Sequence, residues 1–176
     1  MKADQSAGGK VPLFVSAKQY EKIIMEPIEK PAFGVGKFDE ETFLLGVLKK
    51  LTVLLYGASA LKWRAALEDE QEVVGALADL TIQVMAFESA LLRAKKLLGA
   101  GKITDVERAI VRLAMQTACY VSRKSAELIA GRLEQGDQLR IYAAKIRSLI
   151  KYELFDEVGA VRAVADAYLA KTWRFV

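Results

Sequence analysis

Few residues in this chain have the type and spacing that chemistry requires, and each also has a plainer use. Cys119 is the only cysteine. It sits between Ala118 and Tyr120 in a predicted helix, where a thiol with no imidazole to activate it behaves as a small hydrophobe rather than a nucleophile. The Gly34-Val35-Gly36 run is a fragment of a nucleotide fingerprint, without the preceding strand or the third glycine that lets a helix approach a pyrophosphate, and reads as a loop. Acids recur at Glu40 and Glu41 and again from Glu68 to Glu72. Carboxylates so grouped suit a hard cation, but both sets fall at predicted helix starts, where the positive end of the dipole favours them anyway.

Glu88 differs, because it borders the apolar stripe of its helix. It must reach outward or find a cation such as Arg93, and a structural ion pair is the expected outcome. Arg140, Arg147 and Lys151 are spaced seven and four apart, hence on one helical face, opposite Leu139, Tyr142, Ile146, Leu149 and Ile150. Such a basic amphipathic helix can lie on an anionic membrane, and the same pattern describes the surface helix of a bundle. Trp63 between Lys62 and Arg64, and Trp173 beside Arg174, are aromatic-basic pairs that read as the rim of a core, with no nucleic-acid motif beside them.

Histidine is absent from all 176 residues. Triads with a histidine base, histidine-ligated zinc and haem, and the Glu-x-x-His di-iron sites of helical bundles are excluded together. No catalytic, cofactor-binding or metal-binding residue is therefore assigned from the residues themselves.

The elements that carry these residues are helical. All three prolines, Pro12, Pro27 and Pro31, lie in the first 31 residues, so nothing after them breaks a helix with a ring. Residues 1–14 read as a lead-in and 15–176 as a single domain. Ser16 with Gln19 forms a capping box for a short helix whose apolar face is Tyr20, Ile23 and Ile24. Asp39 is the expected cap of a long helix to about residue 67, with Phe43, Val47, Leu51, Leu54, Leu55, Ala58 and Leu61 inward. A second long helix runs to about residue 98 with Val73, Leu77, Leu80, Val84, Phe87 and Leu91 on one face, ended by Gly99 and Gly101.

Thr104 with Glu107 makes another capping box, opening a helix to about residue 133 with Val106, Ile110, Leu113, Thr117, Val121 and Leu128 predicted inward. Gly136 and Asp137 end that helix and cap the next. A final helix from about 156 to 171 turns Val161, Val164, Ala165 and Tyr168 inward. No strand run and no repeat of fixed period occurs. The expected fold is all-α, an up-and-down bundle of about three long helices with shorter flanking ones.

Composition agrees. Hydrophobic residues make up 53% and charged residues 27%, which argues for a packed globule over disorder. The net charge of +4 lies in the second half, where residues 102–176 hold 13 Lys/Arg against 9 Asp/Glu. Spread over several helices, that surplus reads as a solvated surface. The lone cysteine and the N-terminus, which lacks the apolar core of a signal peptide, give a cytoplasmic expectation. The most apolar stretch, residues 43–61, is interrupted by Lys49 and Lys50, so no membrane span is expected.

Two segments carry a family resemblance. LEDEQEVVGALADLTIQVMAFESALLRAKK, residues 67–96, and EQGDQLRIYAAKIRSLIKY, residues 134–152, resemble the C-terminal helical extension of long- and very-long-chain-type acyl-CoA dehydrogenases, as does the closing KTWRFV. The likeness spans about 38–176 and leaves residues 1–14 as linker. It implies a helical domain appended to an FAD-bearing core that oxidises an acyl-CoA with a glutamate base commonly followed by Gly-Thr. No Glu-Gly-Thr occurs here, so no catalytic residue carries over. Glu88 and Arg93 match the Met-Glu-Ser…Leu-Arg region, with Phe87 in place of Met. Asp137, Leu139 and Arg140 match the Gly-Asp-x-Leu-Arg turn, and all five are expected to be structural. The resemblance implies packing on the core or a second protomer, and membrane attachment would employ Arg140, Arg147 and Lys151. The alternative is a stand-alone adaptor that binds anionic membrane through that helix. In the first case, the chain should expose a large apolar patch.

Overall fold

Leucine at three- and four-residue steps builds the first element. In the computed structural model, which describes residues 37–170, α1 runs Asp39–Trp63. Asp39 is its first residue and not its cap: Phe38 takes that position at φ 59, and Asp39, Glu40 and Glu41 fill the first turn. The fully buried line is Leu44, Leu48, Leu51 and Leu55. Val47 and Leu54 are buried as expected, Phe43 and Ala58 only partly, and Leu61 is exposed, because the stripe is centred one residue away from the expected one.

α1 stops four residues before the expected end. Arg64 has φ 50, and a short 3-10 helix, Arg64–Asp69, turns the chain. Next comes α2, Gln71–Gly99, whose six expected inward residues are all buried. Gly101, at φ 67, closes its end, a conformation that glycine adopts without a Cβ clash. The Thr104–Glu107 capping box forms as expected: the Val106 amide donates to Thr104 Oγ1 at 3.3 Å and the Thr104 amide to Glu107 Oε2 at 2.8 Å.

That box opens α3, Asp105–Leu133, which buries the face opposite to the expected one. Val111, Met115, Ala118, Cys119, Ser122, Ser125, Ala126, Ile129 and Ala130 turn inward. Val106, Ile110, Leu113 and Val121 stay half-buried, and Thr117 and Leu128 are exposed. Small side chains decide this. Alanine, serine and cysteine let α1 and α2 approach closely, and that close packing outweighs the larger residues on the far face.

α4, Gly136–Leu149, buries Ile146 and Leu149 and rests Leu139 and Tyr142 on the core as expected. Gly136 begins it at φ 59 after Gln135, so Asp137 lies in the first turn and does not cap. α5, Glu157–Leu169, is capped by Asp156, whose Oδ1 accepts from the Gly159 amide at 2.9 Å. It has no buried residue. Of its expected inward set, Val164 is half-buried while Val161, Ala165 and Tyr168 are exposed.

α2 and α3 pack along their length, α1 lies across both, and α4 and α5 cover α3. The short connections set neighbouring long helices up and down around one core. By length and composition, the stretches Asp39–Asp69 and Gln71–Gly99 are long and apolar enough to cross a membrane. In the bundle, half of the first window and a third of the second are buried against neighbouring helices. The Ser16–Gln19 box, the Tyr20 face, the Gly34–Gly36 loop, Trp173, Arg174 and the closing segment lie outside the described residues.

Candidate functional site

Glu88, Asp137, Arg140 and Arg147 each meet a charged partner in the fold. Glu88 forms its ion pair with Lys49, joining α2 to α1, so the ion pair is as expected but the cation is not Arg93. Arg93 is one turn further along. With Ser89, Ala90, Ala94, Glu107, Ile110 and Val111 it lines a groove of about 270 Å³ between α2 and α3. Asp137 and Arg140 meet each other at 3.1 Å within the first turn of α4, both well exposed. Leu139 beside them packs on the core. Arg147 Nε donates to Glu127 Oε1 at 2.8 Å, tying α4 to α3. Lys151 is exposed just past α4. Arg140 and Arg147 are each matched by an acid, and Lys151 lies past the last helical residue, outside the periodicity that would align it with them.

Lys62 extends over the Trp63 ring at 5.2 Å and donates to Leu133 O at 2.9 Å. A cation thus meets the negative end of α3, and the tryptophan is a half-buried rim residue as expected. Cys119 is fully buried. Its neighbourhood includes Tyr152, whose phenol is held above the ordinary 10.0, first by burial and then by the nearby thiol.

A polar clamp at the head of α1 escaped the sequence reading. Glu40 and Glu41 are nearly buried. Glu40 Oε1 accepts from the Glu153 amide at 3.2 Å, and Glu41 faces Arg112 of α3 at 3.9 Å. The Arg112 guanidinium also lies over Phe155 at 5.4 Å, and Arg108 lies over Phe38 at 5.6 Å. Gln116 Nε2 donates to Glu157 Oε2 at 2.7 Å. These contacts hold the start of α1, the middle of α3 and the link between α4 and α5 together. The paired acids were the visible signal. Their partners lie about seventy and more than a hundred residues away, beyond any local pattern.

Among the described residues no group of three or more His, Cys, Asp or Glu could hold a metal ion. The groove falls below the roughly 300–1,000 Å³ of small-molecule sites, and its walls are almost wholly apolar, so it does not fit a flavin dinucleotide.

What the bundle does present is apolar surface. On α2, Val74, Ile82, Met85 and Leu92 share an outward face, with Met85 63% exposed and Leu92 59%. On α3, Tyr120 and Leu128 are exposed beside half-buried Leu113 and Val121. These residues are apolar surface of the kind the sequence led one to expect on the bundle.

A family profile described as "Acyl-CoA dehydrogenase, C-terminal domain" matches residues 47–148. The chain is similar to a probable acyl-CoA dehydrogenase of Bacillus subtilis (strain 168), 30% identical over 150 residues, which cover 81% of this chain and 24% of the relative. Its fold is similar to that of an acyl-CoA dehydrogenase from Bacillus anthracis crystallised with FAD, with TM-score 0.82 and 23% identity over 96% of this chain and 28% of that one. The chain therefore spans about a quarter of the length of these relatives.

Proposed function

Because this chain belongs to the family of acyl-CoA dehydrogenase C-terminal domains, we propose that it is a packing and docking module of an FAD-dependent fatty-acyl-CoA dehydrogenase, inert toward substrate by itself. The outward face of Val74, Ile82, Met85 and Leu92 carries the reading. Exposed side chains of that size on adjacent turns are stabilising only when something covers them. The occupant proposed here is the flavin-bearing core. FAD belongs to that core, and the α2–α3 groove takes no part in holding it.

The long- or very-long-chain type is part of the proposal, supported by the likeness of residues 67–96 and 134–152 to that type's extension. A cytoplasmic place of action belongs to it too.

The test is titration of the purified chain into an FAD-loaded acyl-CoA dehydrogenase core that lacks its own extension. Binding is expected, with a loss of at least tenfold in affinity for Met85→Lys combined with Leu92→Lys, about 1.4 kcal/mol. A wild-type chain that fails to bind sinks the docking reading. Turnover of acyl-CoA by the chain with added FAD and no core sinks the claim that it is inert.

A further inference from the structure

The connector between α4 and α5 lies along one side of α3. Arg112, Gln116, Cys119 and Arg123 stand at steps of four, three and four, so they form a single stripe on that helix. Each meets the connector or the start of α5. Arg123 Nη2 donates to the Ile150 carbonyl, Cys119 neighbours Tyr152, the Arg112 guanidinium lies 5.4 Å over the Phe155 ring, and Gln116 Nε2 donates to Glu157 Oε2 at 2.7 Å. α1 adds one more tie, the Glu153 amide donating to Glu40 Oε1 at 3.2 Å. α5 then packs chiefly on α3 and buries no side chain completely.

We propose that residues 151–169 form a strap across α3, which opens as one unit while α1 to α4 stay packed, and that its closure is what keeps Cys119 from solvent. Ile150, fully buried and held through its carbonyl by Arg123, is the fixed end from which the strap swings. The ties beyond it are few. Of the strap's hydrophobic side chains only Tyr152 rests against the buried core. The rest of the hold is the Glu40, Arg112 and Gln116 contacts, and a hydrogen bond of this kind shifts an equilibrium by only roughly two- to tenfold.

Closure also carries an unmet cost. Gln116 Oε1 is buried beneath the strap with no hydrogen-bond partner among the described residues. When the strap lifts that oxygen is hydrated, so opening restores a bond that closure forfeits. Lifting the strap leaves Leu44, Leu48, Leu77, Leu80 and Phe87 buried between the long helices, whereas global unfolding exposes them all. Opening of a weakly tied unit of this kind lies well below global unfolding in free energy. The inference concerns a side of the bundle separate from the α2 face assigned to the core and stands or falls without it.

The experiment is alkylation of Cys119 by excess iodoacetamide, followed by mass spectrometry on the full chain without denaturant. The thiolate displaces iodide and its proton goes to the buffer. The midpoint of each variant in urea, read by circular dichroism, gives its global stability. The wild type should label at a rate set by the population of the open strap. Gln116→Ala combined with Phe155→Ala should raise that rate by roughly tenfold, and Gln116→Ala alone, a milder truncation, should move it the same way. Thr104→Ala weakens the head of α3 and leaves the strap contacts in place, so it should lower the urea midpoint without changing the rate. A rate that follows global stability, rising for Thr104→Ala as it does for the strap variants, overturns the proposal. So does a thiol that stays unlabelled until the urea transition, or a rate indifferent to the strap variants.

Discussion

Tyr152 shows how one side chain records its surroundings. It packs against the core, and burial raises its phenol pKa above 10.0. The folded chain therefore holds that proton at a pH where the unfolded chain has released it. Stability from this group is fully present below the unfolded value near 10 and is lost as pH rises through the folded value. Urea melts between pH 8 and pH 11 should show a steeper alkaline loss in the wild type than in Tyr152→Phe, and equal slopes refute the assignment. The acids make the complementary point. Glu40 and Glu41 announced a helix start through type and position, and they do occupy the first turn of α1. Their burial and their bonds to Glu153 and Arg112 were not legible, because those partners are brought in by the packing of distant elements. Glu88 lay between these cases: its place near an apolar stripe demanded a cation, and tertiary packing made that cation Lys49.

At the scale of elements, ends and faces were each legible only in part: the stripes of α2 and α4 formed as expected, while Asp39 and Asp137 proved to be first-turn residues and not caps. The capping box at Thr104 formed as its residues dictate, since its groups lie within one turn. Thr104→Ala should lower stability by about 1 kcal/mol in denaturant melts while leaving the fold intact. A loss under a few tenths would mean that α3 is held at its head by tertiary contacts alone. The faces of α3 and α5 came out otherwise than expected. Both helices carry apolar residues on more than one side, so periodicity by itself offers two candidate stripes. The basic face of α4 has a parallel history: the spacing placed Arg140, Arg147 and Lys151 together, but Asp137 and Glu127 take up two of the cations.

For the whole molecule, that pairing bears on the membrane alternative. Lipid vesicles rich in phosphatidylserine should fail to retain the chain at about 0.15 M salt, because Arg140 and Arg147 are held by acids of the bundle and the attraction of the remaining surface charge is screened. Retention by the vesicles, abolished in Arg147→Glu combined with Lys151→Glu, would favour the adaptor instead. The absence of histidine, the confinement of proline to the first 31 residues and the three- and four-residue periodicities determined by themselves that this is a helical bundle and which histidine-dependent chemistries it excludes. Those properties depend on residue type and near neighbours along the chain. Only the tertiary structure decided which side of α3 became core, which acids were clamped at the head of α1, and that α5 was left uncovered. Helix formation is settled within a few turns, whereas the choice among several apolar faces depends on which small side chains permit the closest approach, and that is a property of the packed bundle.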